Sequence, residues 1–394
     1  MFKFNGHAVL AAVCLALLAE GTVRAQGQSG SGVRAETGVK VSTVAAGLEN
    51  PWAVGLLPDG RFLVTERPGR LRVVALDGTL GLPVAGLPPV AAGRQGGLLY
   101  LVLDSEFVRN RTLYFCFSQP GEGAAANTNS TALARARLSA DATRLDEVKI
   151  IFSQKPKVAS NLHFGCRIVE SKTAGQGDGL LFLTLGERYS RKDDAQTLDN
   201  YHGKVVRIGK YASVPKDNPF TSRAGALPEI WSYGHRNLQG AILAPDGTLW
   251  THEHGPQGGD EINLPKPGLN YGWPAITYGE NYGGGTMGDG IGSKPGMEQP
   301  LHYWVPSIAP SGIAFLTSER YGKTWQGNLF VGSLKFGFLN RIELAEPFKG
   351  KVLREHRLLE GEKDRIRDVR QGPDGLLYVL TDSPQGRLLR LLPN

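Results

Sequence analysis

Short runs of apolar residues, each opened by a Gly, Asn or Asp turn, recur along this 394-residue chain. Three are near copies. Pro58-Asp59-Gly60 precedes Arg61-Phe62-Leu63-Val64, Pro245-Asp246-Gly247 precedes Thr248-Leu249-Trp250, and Pro373-Asp374-Gly375 precedes Leu376-Leu377-Tyr378-Val379. Looser copies begin at Asn110, Asp178 and Gly327. Asp-Gly accepts the positive φ of a tight turn, so each copy predicts a hairpin. A second form follows some of them, as in residues 69–74, 203–208 and 386–391, and predicts a further strand. Anchored at 59, 110, 178, 246, 327 and 374, the six units predict an all-β chain folded as a six-bladed β-propeller. Each blade buries its faces only against its neighbours, so the ring forms a single domain, residues 38–394. A pair of β-sandwiches is the alternative. The longest strand-poor stretch, about 265–300, reads as a long loop on one face, where function tends to sit.

The first 25 residues stand outside this pattern. Lys3 precedes the apolar run Ala8 to Ala19, and Val23-Arg24-Ala25 offers a small-x-small cleavage site, which together read as a secretory signal. Residues 26–37 read as a flexible linker. No other stretch is apolar enough to span a bilayer, so the protein is expected to be periplasmic or secreted. With 52 Gly and 24 Pro the chain is too heavily punctuated for long helical bundles. The formal net charge is +7, but no basic run appears and both signs are interspersed. That excludes a nucleic-acid surface and suits a basic pocket for a small anion. Cys116 and Cys166 remain after the signal, and the sequence leaves open whether they pair.

Among the motifs, Gly283-x-Gly285-x-x-Gly288 follows no strand and opens no helix, so it does not bind a dinucleotide. His252 and His254 would share one face of a strand, which allows a metal pair. The turn Gly255-Pro256, followed by Asp260 and Glu261, offers carbonyls and carboxylates of the kind Ca²⁺ uses, although an acidic turn capping a blade explains it equally well. Arg365 and Arg367, two apart on a strand, point to the same side.

Taken with residues 50–52, 95–99, 163–167, 227–237, 252–274, 306–312, 332–335 and 364–382, the chain resembles the soluble quinoprotein sugar dehydrogenases, the family of PQQ-dependent aldose and glucose dehydrogenases. The resemblance implies a six-bladed propeller that oxidises aldose sugars at C1 to lactones by hydride transfer to Ca²⁺-activated PQQ. Position by position, it makes His163 the general base, in contact with the sugar, and Glu187 its orienting carboxylate. Arg236 would lie beside the quinone with Asn237 next to it. Gln95, Tyr282, Ser307, Lys335, Arg365 and Arg367 fall at cofactor-contacting positions. The carbonyls of Gly255 and Pro256 would hold the catalytic Ca²⁺, and Glu261 with the Tyr271 carbonyl a second one. Asp260 falls near the sugar. Three residues depart from the family: Glu187 stands where Asp is common, Cys166 where Gly is, and Leu238 where Pro is. Two other readings are a Ca²⁺-dependent propeller lactonase and a non-catalytic extracellular propeller. Only the dehydrogenase needs Arg236, Lys335, Arg365 and Arg367 to converge. The electron acceptor and the choice between monomer and homodimer stay open.

Overall fold

The computed structural model describes residues 33–35, 38–171 and 179–394. The expected signal segment lies outside the described residues, as does most of the expected linker. Within that linker, Val33–Ala35 form a short strand that pairs in parallel with Lys349–Leu358.

The chain folds into six sheets arranged as blades, in chain order. Blade 1 holds Pro51–Leu56, Phe62–Glu66, Arg70–Val74 and Leu80–Pro83. Blade 2 runs from Leu98–Leu103 to Leu145–Ser153, blade 3 from Gly165–Ser171 to Ile230–Tyr233, and blade 4 from Asn237–Leu243 to His302–Trp304. Blade 5 runs from Pro310–Phe315 to Lys349–Leu358. Blade 6 joins both ends of the chain, because Val39–Leu48 pairs antiparallel with the last strand, Gly386–Pro393. The inner strand of each blade, which is Ile366–Gln371 in blade 6 and the first strand in the others, packs against the inner strands of its two neighbours and closes the ring. These inner strands are buried almost throughout, whereas the outer strand Lys349–Leu358 is largely exposed. Apolar side chains fill the gaps between sheets, such as Phe62 against Tyr378, ring centroids 5.3 Å apart, between blades 1 and 6. The ring is a six-bladed β-propeller, as the repeat implies.

The three Pro-Asp-Gly copies fold alike. In each, the Asp Oδ1 accepts the N–H two residues on, at 3.1, 2.9 and 3.1 Å for Asp59, Asp246 and Asp374. The following Gly60, Gly247 and Gly375 have φ of 87°, 85° and 78°, which a side chain would strain. Each turn links the inner strand of its blade to the next.

Two features tie the blades together beyond their shared core. Cys116 of blade 2 and Cys166 of blade 3 form a disulfide, with Cα atoms 5.9 Å apart. Arg167, only 1% exposed, sits on the axis of the ring. Its guanidinium donates to Asp368 of blade 6 at 2.8 Å, to the Ser311 carbonyl of blade 5 at 3.1 Å and to the Gln239 carbonyl of blade 4. It also lies 4.5 Å from the Trp52 ring of blade 1 and 4.4 Å from the Tyr100 ring of blade 2. One side chain of blade 3 therefore touches the inner strands of all five other blades. Its buried charge is compensated by Asp368 and by carbonyl and aromatic partners.

Candidate active site

At one mouth of the ring, the loops around the inner strands enclose a cavity of about 760 Å³. Gln95, Asn237, Gly255, Pro256, Asp260, Tyr282, Ser307, Lys335, Arg365 and Arg367 all line it, although they come from distant parts of the chain. Arg236 lines an adjoining chamber of about 540 Å³ with Glu187, Tyr189 and Trp273, and this chamber shares Pro256 and Tyr282 with the first. The strand-poor stretch supplies Trp273 and Tyr282 to these walls, as its place on the functional face requires.

Positive charge is concentrated on one side of the cavity. Asp382 accepts from Arg367 at 2.6 Å and has Arg365 at 3.5 Å and Arg67 at 4.0 Å. Burial alone would raise the Asp382 carboxyl, but the arginines around it hold it down at about 2. Three cations around one anion leave net positive charge facing the cavity, and Lys335 adds to it. The Nε atoms of Arg236 and Arg367 and the Trp273 indole N–H are buried without a partner among the described residues. Buried donors of this kind call for an acceptor. Arg67 escaped the sequence reading. It follows the strand Phe62–Glu66 and there resembles any surface arginine.

The base candidate lines neither chamber itself but lies beside residues that do: Phe164 and Gly165 of the first follow it in the chain, and Glu187 of the second is its bonded partner. His163 adopts φ 49°, is 6% exposed, and places Nδ1 2.6 Å from Glu187 Oε2. Its backbone N–H donates to Gln95 Oε1 at 2.8 Å, and the Tyr189 ring meets the imidazole edge-on at 5.3 Å. Burial, with Arg236 nearby, lowers the His163 pKa, while Glu187 opposes the shift. Burial would raise the Glu187 carboxyl, but His163 and Arg236 outweigh it and hold it below its ordinary value. A neutral imidazole beside an ionised carboxylate carries its proton on Nδ1, which leaves Nε2 as the free base.

The extra methylene of Glu187 is accommodated by its turn. Arg188 and Tyr189 both take left-handed backbone, with φ 67° and 66°. Glu187 Oε2 also accepts the Tyr189 N–H at 2.6 Å. Arg188, missed in the sequence, packs 3.8 Å from the Phe164 ring and donates to the Leu162 carbonyl at 3.0 Å. It thereby ties the Glu187 turn to the His163 loop, and its burial lowers its own pKa to about 9.

On the opposite wall, Gly255 leaves no room for a side chain, since an added Cβ would meet the Gly258 carbonyl at 2.2 Å. Asp260, expected near the sugar, is 1% exposed, and its oxygens are taken by the Gly255 N–H at 2.8 Å, the Ser307 hydroxyl at 2.9 Å and the Ala309 N–H at 2.7 Å. Its carboxylate thus serves the wall rather than the open cavity. Behind the turn, Glu253, Glu261 and Tyr271 border a void of about 10 Å³, enough for one water-sized occupant. Asn263 Nδ2 bridges the two carboxylates, at 3.1 Å from each. Burial and the neighbouring Glu253 push Glu261 up to about 8. Two crowded carboxylates beside a small void suit a cation. His252 and His254 do not form a metal pair: His254 Nε2 bonds the Pro310 carbonyl at 2.8 Å, and His252 is wholly buried. Among the described residues no three His, Cys, Asp or Glu side chains gather as a metal cluster, so a cation here would rest largely on main-chain carbonyls.

The Glucose / Sorbosone dehydrogenase family matches residues 48–390. The chain is 42% identical over 359 residues to the aldose sugar dehydrogenase YliI of Escherichia coli, covering 90% of this chain and 93% of that one. It belongs to the Glucose / Sorbosone dehydrogenase family. A quinoprotein glucose dehydrogenase B of Acinetobacter calcoaceticus is 28% identical over 86% of this chain and 84% of its own length. Among solved structures, the soluble aldose sugar dehydrogenase of Escherichia coli in its apo form superposes with a TM-score of 0.84 at 40% identity, covering 90% of this chain and all of that one. The PQQ-bound aldose sugar dehydrogenase of Streptomyces coelicolor superposes with a TM-score of 0.70 at 26% identity, covering 91% and 99%. Family membership makes the chain an oxidoreductase. It also gives the Cys116–Cys166 bridge a particular interest, because Cys166 adopts φ 86°, a conformation suited to the Gly that the resemblance leads one to expect there.

Proposed function

We propose that this protein is an exported, PQQ- and Ca²⁺-dependent aldose dehydrogenase that oxidises the anomeric carbon of aldoses to lactones. The observation that carries the reading is the convergence of Lys335, Arg365 and Arg367 on one cavity, whose Gln95 holds the His163 backbone while Glu187, paired with His163, lines the adjoining chamber. Those cations fit the carboxylates of PQQ, since arginine forks bind carboxylates through paired, charge-assisted hydrogen bonds. A lactonase would have no use for such a seat. Gln95, Asn237, Tyr282 and Ser307 add hydrogen-bonding groups along the same walls, and the unpartnered Nε of Arg236 offers a further donor. The carbonyls of Gly255 and Pro256 are the proposed ligands of the catalytic Ca²⁺, and Glu261 with the Tyr271 carbonyl those of a second. When bound, PQQ polarised by Ca²⁺ supplies the two-electron acceptor.

The chain's own part is proton transfer and positioning. His163 Nε2 takes the proton from the anomeric hydroxyl, which lets the hydride leave C1. Glu187 holds the imidazole in the right tautomer and stabilises the imidazolium as it forms. Among the described residues no helix is long and apolar enough to cross a membrane. The test is reconstitution. Apo-protein should acquire aldose:dye oxidoreductase activity only when PQQ and Ca²⁺ are both added, with NAD ineffective. Equal activity after chelation and removal of quinone would refute the proposal.

A further inference from the structure

Asp260 opens the third strand of blade 4, where its backbone pairs with Trp304 and the preceding Gly259 N–H donates to the Trp304 carbonyl at 2.8 Å. From that fixed base its side chain joins two segments that are distant in sequence. One oxygen accepts the Gly255 N–H and the Ser307 hydroxyl, and the other accepts the Ala309 N–H. Ala309 takes left-handed backbone, with φ 53°, a conformation that needs outside support in a residue other than glycine. The same loop carries the tie onward. The Ile308 and Ala309 carbonyls accept the N–H groups of Lys335 and Leu334, at 3.2 and 3.0 Å, and Ile308 also accepts the Ser333 hydroxyl at 2.7 Å.

We infer that Asp260 is a positioning residue that sets the Gly255-Pro256 turn in register with Ser307 and Lys335, so that the cation and the cofactor are held by one connected wall. The inference rests on the functional reading above and extends it to a residue whose carboxylate oxygens are both bonded within the wall. A charged carboxylate can accept all three hydrogen bonds, and no other side chain bonds both Gly255 and Ala309 among the described residues. An amide in its place keeps the volume but sets an NH₂ group against one of the donors, which leaves that donor unpaired.

The test uses the full chain, its Asp260→Asn and Asp260→Ala variants, and Ser307→Ala, which removes one bond of the three. Affinity for PQQ at fixed Ca²⁺, and for Ca²⁺ at fixed PQQ, is read by calorimetry. Exchange of the Gly255 and Ala309 amide protons is read in the ligand-free protein. Charge-assisted hydrogen bonds of this kind correspond to a loss of about 10- to 100-fold in affinity for both ligands in Asp260→Asn. A smaller loss is expected in Ser307→Ala. Both amides should exchange faster in the Asp260 variants, and the pH dependence set by His163 should stay in place. Unchanged affinities in Asp260→Asn and Asp260→Ala, with a parent that binds both ligands, would overturn the positioning role alone. A parent that binds neither ligand would overturn the functional reading and this role together.

Discussion

Replacing Glu187 by Gln removes a charge while sparing shape. In the structure a single oxygen, Oε2, accepts both His163 Nδ1 and the Tyr189 N–H, each at 2.6 Å. An amide oxygen in that place can accept both, so the imidazole keeps its tautomer and orientation. What disappears is the negative charge that favours imidazolium. The His163 pKa is already below its ordinary value, through burial first and Arg236 second, and Glu187 is the group that opposes the fall. Without it the pKa falls further. An opposite charge at this range is worth about 1–3 pKa units. The rate needs neutral imidazole, so it rises as pH climbs through the His163 pKa, and this limb should move to lower pH by that amount. The plateau should also drop. The imidazolium formed in the transition state loses a charge-assisted partner worth about 1.5–3 kcal/mol, or roughly 10- to 100-fold in kcat. Glu187→Asp tests the geometry instead. The Arg188–Tyr189 turn is set for the longer side chain, and a retreat of about 1 Å from the ring costs on the order of 10²-fold. The assay is kcat against pH for the reconstituted proteins with an aldose and a dye acceptor. An unchanged plateau and limb in Glu187→Gln would refute the role given to this pair.

Further substitutions separate chemistry, binding and folding. His163→Ala should lower kcat by about 10²–10⁴ and leave PQQ affinity nearly intact by quinone titration. Arg365→Ala should do the opposite, weakening cofactor retention by about 1.5–3 kcal/mol. Arg167→Met should cost about 1.5–3 kcal/mol in urea unfolding, because it removes the charged partner of Asp368 Oδ1 at the axis and leaves that carboxylate only Arg370 and the Val54 N–H. The double variant Cys116→Ser/Cys166→Gly should lose about 4 kcal/mol, the loop-closure value for a 50-residue separation, and reductant should destabilise only the parent.

Local chemistry made the fold legible. Each Pro-Asp-Gly turn is specified by its own three residues, through the Asp side chain and the positive φ of Gly, and the three mark blades 1, 4 and 6, while the looser copies at Asn110, Gly179 and Gly327 mark blades 2, 3 and 5. The meeting of Lys335, Arg365 and Arg367 in one cavity was legible only through the family resemblance, since the residues alone showed no more than Arg365 and Arg367 on one side of a strand. Tertiary facts were not legible. Arg167 sits in a motif whose neighbour His163 drew the functional reading, and nothing in the sequence reveals that its side chain turns to the axis. The pairing of Cys116 with Cys166 depends on two blades becoming adjacent. The partners of the Asp260 carboxylate, Gly255, Ser307 and Ala309, were not legible either, because a side chain's direction is set by what the fold brings around it. Val33–Ala35 were read as linker because three residues carry too little pattern to signal an edge strand.

The central claim is that the cationic cavity and the His163–Glu187 pair serve one oxidation. Anaerobic addition of an aldose to protein loaded with PQQ and Ca²⁺ tests it most directly, with the quinone absorbance followed through a single turnover. The account predicts conversion of the oxidised quinone spectrum to the reduced one, with one lactone formed per quinone, fast in the parent and slowed by about 10²–10⁴ in His163→Ala. A loaded protein whose spectrum stays that of the oxidised quinone, with no lactone formed, would contradict it.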